Sequence, residues 1–147
     1  MLLKNFLRNL KNSRYLKTKD AGIQEIQYKG LTIVIENPVG SIRSGEDKHG
    51  DKWKTKFLYP YGYIKYTKGA DNEGIDCFIG NDDNAEKVYL IHQRIHNRYD
   101  EDKVMIGFPD EESARDAYLA HYNTQCMLGP ITKMDFEQFK QFLGLNE

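Results

Sequence analysis

The sequence predicts an α+β domain, on three observations. Short β-branched runs are separated by turn residues, the C-terminal third carries apolar residues at helical spacing, and cap residues precede that helical region. The chain has 147 residues, enough for one domain with a sizeable core. Its net charge is −1 with 29% charged residues, so no global bias selects nucleic acid or an acidic partner. Cys77 and Cys126 are too few for a disulfide framework and lack metal-site spacing, and Cys77 reads as a buried small hydrophobe. No apolar stretch approaches membrane-spanning length. The expectation is a soluble, cytoplasmic protein with no membrane and no specific nucleic-acid partner.

Residues 1–20 are locally basic. Lys4, Arg8, Lys11, Arg14, Lys17 and Lys19 interleave with Leu3, Phe6, Leu7 and Leu10 at helical spacing. This predicts an amphipathic helix, lying on the domain or docking a partner or second subunit. The remainder, 21–147, reads as one domain. Leu31–Ile35 is β-branched and predicts a strand that Glu36 ends, with a turn over Asn37–Gly40. A short extended piece at Ser41–Arg43, a loop over Gly45–Lys52 and a strand over Trp53–Tyr59 follow. Asn81–Asn84 is a turn. Lys87–Gln93 alternates as a strand, Asn97–Asp102 reads as a polar loop, and Lys103–Phe108 as another strand. Asp110 is an N-cap, with Glu111 and Glu112 placed to favour the helix dipole. A second helix is expected from Thr132, with Asp135 completing a variant capping box and Gly144 stopping it.

The stretch from Tyr59 to Gly80 carries the chemistry. Asp71, Glu73 and Asp76 lie at offsets 0, 2 and 5, the last inside an apolar run, with Tyr61 ten residues before Asp71. In an extended segment Asp71 and Glu73 share a face, and a turn at Gly74 brings Asp76 round to them. Three hard oxygen donors suit Mg²⁺. Without a cation, two like charges ~4 Å apart repel by about 4 kcal/mol near a protein surface but only about 1 kcal/mol in bulk water. A metal pocket and a solvated acidic turn therefore both remain open on spacing. The histidines, His49, His92, His96 and His121, show no ligand spacing.

Ile33-Val34-Ile35-Glu36-Asn37-Pro38, Tyr61-Gly62-Tyr63-Ile64 and Asp71-x-Glu73-x-x-Asp76 together resemble the core of family I inorganic pyrophosphatases. From Lys29 to about Leu143 the chain is similar to the version of that domain in bacteriophages and mobile elements. That likeness also rests on Gly40-Ser41-Ile42-Arg43-Ser44-Gly45, Phe78-Ile79-Gly80 and Lys103-Val104-Met105-Ile106-Gly107-Phe108. The resemblance implies a distorted five-stranded barrel of the OB type with helices outside. It also implies Mg²⁺-dependent attack of water on a phosphoanhydride, with Mn²⁺ as a substitute. Asp71 and Asp76 would hold metal and Glu73 would accept the water's proton. Glu36 would bind metal on the substrate side. Arg43, Tyr61, Lys103 and Tyr122 would hold phosphate oxygens and stabilise the leaving charge.

Departures from the family pattern are specific. The middle acid is normally aspartate, so Glu73 is a methylene longer; an ångström of misplacement can cost about 100-fold in rate. Glu101 has the offset from Lys103 of a metal-binding aspartate, but the earlier partner position is His96, with Asp100 and Asp102 as substitute carboxylates. The lysine after the late tyrosine is Asn123, and Lys54 or Lys56 stands for a mid-chain arginine. The expected substrate is pyrophosphate or a nucleotide phosphoanhydride. The competing expectation is a phage structural or interaction module with weakened catalysis, forming homo-oligomers or joining a phage protein through the N-terminal helix, in host cytoplasm or virion.

Overall fold

The computed structural model describes residues 24–47, 49–122 and 127–145. The basic helix expected over residues 1–20, together with Asn123 and Cys126, lies outside them. Among the described residues nine strands and two helices follow in order: β1 Gln24–Tyr28, β2 Leu31–Asn37, β3 Ile42–Glu46, β4 Lys52–Lys56, β5 Tyr61–Ile64, β6 Ile75–Ile79, β7 Lys87–Ile95, β8 Arg98–Ile106, α1 Glu111–His121, β9 Ile131–Asp135 and α2 Phe136–Leu143. No helix among the described residues is long and apolar enough to cross a membrane.

Seven strands form one sheet in the order β1-β2-β5-β6-β8-β7-β9, while β3 and β4 pair only with each other. All neighbours in the large sheet run antiparallel except β6 and β8. The closed five-stranded barrel implied by the resemblance is not seen: among the described residues no ladder joins β1 to β9. The sheet instead curls until Tyr28 at the end of β1 meets Phe136 just after β9, with ring centroids 6.2 Å apart. Phe136 and Leu143 of helix α2 pack, like Ile26 and Tyr28 of β1, against the same core cluster.

Period-two alternation gives the sheet two buried faces. On the first, Ile33, Ile35, Ile64, Cys77, Leu90 and Val104 enclose Phe139 of α2. That ring is fully buried, which contributes roughly 1.5–3 kcal/mol. On the second, Tyr61, Phe78, Tyr89, Ile91 and Met105 pack under Tyr118 of α1. Cys77 is a buried free thiol, as expected.

Several element bounds differ from the sequence reading, each for a tertiary reason. β3 and β4 extend into the expected Gly45–Lys52 loop because Gly45 and Trp53 are register partners. β4 stops at Lys56, after which the Leu58 N–H donates to Nε2 of His121 (3.0 Å) rather than to a strand. The expected Asn97–Asp102 loop is strand: His96 (φ 51°) and Asn97 (φ 65°) make a tight turn, and β8 begins at Arg98. Thr132 pairs with Leu90 in β9, so the second helix starts at Phe136. Its capping box is formed by Asp135 and Gln138, three residues later than expected. Asp110 does cap α1, accepting from the Ser113 N–H.

Candidate active site at the charged end of the sheet

The face that carries Tyr61 and Phe78 changes character along its strands. Tyr63 pairs with Asp76, Asp76 with Lys103, and Gln93 with Glu101, so the N-terminal ends of β6 and β8 set charged groups beside an aromatic core. Glu101 and Lys103 share this face by alternation.

At its centre the Lys103 ammonium donates to the Tyr61 hydroxyl (2.6 Å) and to Asp76 Oδ2 (2.9 Å), while the Tyr61 O–H donates to the same Asp76 oxygen (2.8 Å). Glu101 Oε2 is 3.1 Å from Lys103 Nζ. All four side chains are buried. Burial alone works against a charged lysine, yet Asp76 and Glu101 outweigh it and hold the Lys103 ammonium well above its ordinary range. Burial, followed by the Asp76 charge, pushes the Tyr61 phenol well up, with Lys103 opposing. Tyr122 follows α1 and is likewise raised by burial, with Lys103 pulling the other way. Asp76, Glu101, Lys103, Tyr61 and Tyr122 thus form one electrostatic group.

Two β-bulges adjust this face. The β2–β5 register shifts between Ile35 and Asn37, making Glu36 the additional residue of β2. Opposite the bulge β2 and β5 come so close that a Cβ on Gly62 would stand 1.8 Å from the Val34 carbonyl oxygen. The shift makes Asn37 the partner of Tyr61, and its Oδ1 accepts from Arg43 Nη1 at 3.3 Å. Arg43 thereby reaches the site's side of the sheet from β3. A second shift, between Gln93 and Arg94, leaves Asp100 as the additional residue of β8. Gln93 Nε2 donates to Asp100 (2.9 Å), and Gln93 Oε1 accepts from Tyr118 (2.7 Å).

Asp71 and Glu73 ride on the turn leading into β6. The Glu73 N–H donates to Asp71 Oδ1 (3.0 Å), and Asn72 takes a left-handed conformation (φ 67°). Gly74 lies against Tyr63, where a Cβ would come 2.7 Å from the ring. The substitutes considered for missing family residues are placed unequally. Asp102 pairs with His92 on the opposite face of β8, accepting from Nδ1 (2.7 Å) and from Tyr99 (3.1 Å). Lys54 and Lys56 are exposed on the outer side of β4, away from Trp53 and Thr55.

Sequence reasoning missed Gln93 and Tyr118. The available signal was the separation of Tyr118 from Tyr122 by one helical turn, which brings their rings together, tilted, with centroids 4.5 Å apart. Among the described residues, Asp47, Asp51 and His96 place one ligand atom each within 4.8 Å of one another. Residues 51 and 96 are far apart in the chain, so spacing could not reveal that group.

The donor chemistry at the main site fits a hard divalent cation. Among the described residues the buried charged groups include three carboxylates, Glu36, Asp76 and Glu101, but one ammonium, Lys103. Carboxylate oxygens are the ligands that such a cation takes. A model of one protein family, inorganic pyrophosphatase, matches residues 15–144. No match was found among curated proteins or among solved structures.

Proposed function

The chain belongs to the inorganic pyrophosphatase family, and from that premise we propose that it hydrolyses a phosphoanhydride, in pyrophosphate or in a nucleotide, with Mg²⁺ or Mn²⁺ as cofactor. The observation that carries this reading is the buried Asp76–Lys103–Tyr61 contact with Glu101 beside it, in a chain of this family. Asp71, Glu73, Asp76, Glu36 and Glu101 would hold the cation. Bound there, it would supply a lowered pKa for water and neutralisation of phosphate charge.

The remaining work falls to the chain's own groups. Lys103 stays charged across the ordinary pH range, because Asp76 and Glu101 overcome its burial. Its three ammonium hydrogens are taken by Tyr61, Asp76 and Glu101, so it would donate to a phosphate oxygen by releasing one of these partners. Tyr61 and Tyr122 stay neutral, since burial raises both phenols, and are not competing anions; Tyr122 would donate to phosphate, and Tyr61 would do so by turning its one hydrogen from Asp76. Arg43, held by Asn37, offers a planar donor fork for a second phosphate. Glu73 takes the proton of the attacking water, reaching from the turn before β6. These donors, fixed before substrate arrives, favour the charge that develops on the leaving phosphate.

The test is phosphate release from pyrophosphate and from nucleoside triphosphates, with Mg²⁺ or Mn²⁺. Metal-dependent release that falls at least about 100-fold in Asp76→Asn supports the assignment. A folded sample that releases nothing with either cation returns the chain to the structural or interaction reading. Release at full rate from Asp76→Asn removes the site while leaving the reaction.

A further inference from the structure

Outside the charged end of the sheet, two hairpin turns meet. Asp47 and Asp51 lie in the turn joining β3 to β4, and His96 opens the turn joining β7 to β8. His96 Nε2 stands 3.3 Å from Asp51 Oδ2, and the three potential ligand atoms lie within 4.8 Å of one another. The Asp47 carboxylate is fixed, because its Oδ1 accepts from the backbone N–H of His49 (2.8 Å) and of Asp51 (3.0 Å). A fourth candidate stands beside them: the His49 ring lies tilted against His96 with centroids 4.0 Å apart. Carboxylates alone would single out no ligand. Two imidazoles among them do, since neutral imidazole prefers Zn²⁺, Ni²⁺ or Co²⁺, whereas Mg²⁺ prefers oxygen. Glu101 pairs with Gln93, three residues before His96, so about 10 Å of strand separates it from the turn. The two groups are therefore distinct places.

We propose that Asp47, Asp51 and His96, with His49 beside them, form a surface site for a first-row transition-metal dication of the zinc class. A cation here fastens the β3–β4 hairpin, which carries Arg43, to the β7–β8 hairpin. The bond joins residues 45 positions apart in sequence. Asp51 and His96 are exposed and Asp47 is half-buried, so the cation exchanges freely and the chain folds without it.

The experiment uses the full chain without a polyhistidine tag, in excess Mg²⁺ so that oxygen-rich sites are occupied. Co²⁺ is titrated in while the imidazole signals of the four histidines are followed by magnetic resonance. Signals of His49 and His96 should broaden together and saturate near one equivalent, ahead of those of His92 and His121. In His96→Ala and in Asp51→Asn, both at exposed positions, the midpoint should rise by at least about tenfold, with unchanged melting in the absence of Co²⁺. Absence of saturable broadening at His49 and His96, prior broadening at His92 or His121, or an unchanged midpoint in both variants would overturn the proposal. These readouts do not depend on hydrolysis.

Discussion

Asp76 and Lys103 are register partners across the parallel β6–β8 ladder, and their side chains meet at 2.9 Å with essentially no exposure to water. Removing one partner strands the other's charge, which typically costs about 3–5 kcal/mol. Lys103→Met should therefore lower the unfolding free energy by about that amount near neutral pH, measured with denaturant. Adding Asp76→Asn to Lys103→Met should recover part of the loss, because the two changes act on one contact. Additive losses would mean that the two side chains do not support one another. The pH dependence has a definite sign. Lys103 is raised above its ordinary 10.5, so its contribution is complete below that pH and disappears as pH climbs through the folded value.

Tyr61→Phe deletes a hydroxyl that donates to Asp76 and accepts from Lys103 while keeping the ring stacked on Phe57 at 5.1 Å. A buried hydrogen bond to a charged group contributes about 1.5–3 kcal/mol, and the variant should lose stability in that range. Phosphate release should fall with it. Equal stability and equal release in Tyr61→Phe would show the hydroxyl to be idle.

Gly62→Ala should be among the most damaging single methyl additions in the chain. The new carbon would meet the Val34 carbonyl oxygen at 1.8 Å, and the partner is backbone that cannot turn aside. Overpacking costs about 1–3 kcal/mol even where side chains can adjust, so the melting temperature should drop by several degrees or more. An unchanged melting curve would mean that the two strands are farther apart than described.

His121 gives the fold an acid limit. Its Nδ1–H donates to the Ala117 carbonyl (2.7 Å), and its Nε2 accepts from the Leu58 N–H (3.0 Å), so both nitrogens are used by a neutral ring. Burial lowers its pKa, with the Ala117 hydrogen bond opposing. A base depressed on folding contributes stability that is complete above its ordinary 6.5 and fades as pH falls toward the folded value. Denaturant midpoints measured from pH 7 downward should decline over that window, and His121→Gln should flatten the decline. An identical slope in the variant would assign the acid sensitivity elsewhere.

What the sequence disclosed was mostly local. The β-branched run at Leu31–Ile35, the Asp110 cap and the order of Glu36, Tyr61, Asp76 and Lys103 were all readable, because each follows from a propensity or from a spacing tied to the family. The bounds that moved depend on partners distant in the chain. Thr132 looks like a helix start until Leu90 takes it into a ladder, and the polar residues after Asn97 look like a loop until β7 pairs with them. The bulges were invisible because a one-residue register shift leaves no compositional trace. Gln93 escaped notice for the same reason, since its importance comes from Asp100 and Tyr118 reaching it together.

The irregularity at Glu36 makes β2 serve two masters. Up to Ile35 the strand keeps step with an oil-like interior, and beyond it the same strand keeps step with a polar hollow. Its length is thereby as important as its composition: deleting Glu36 would leave Asn37 opposite Tyr61 in a regular ladder and remove both the local bend and a buried carboxylate, whereas one residue inserted after Glu36 would rephase Asn37 away from Tyr61 and withdraw the anchor that Arg43 uses.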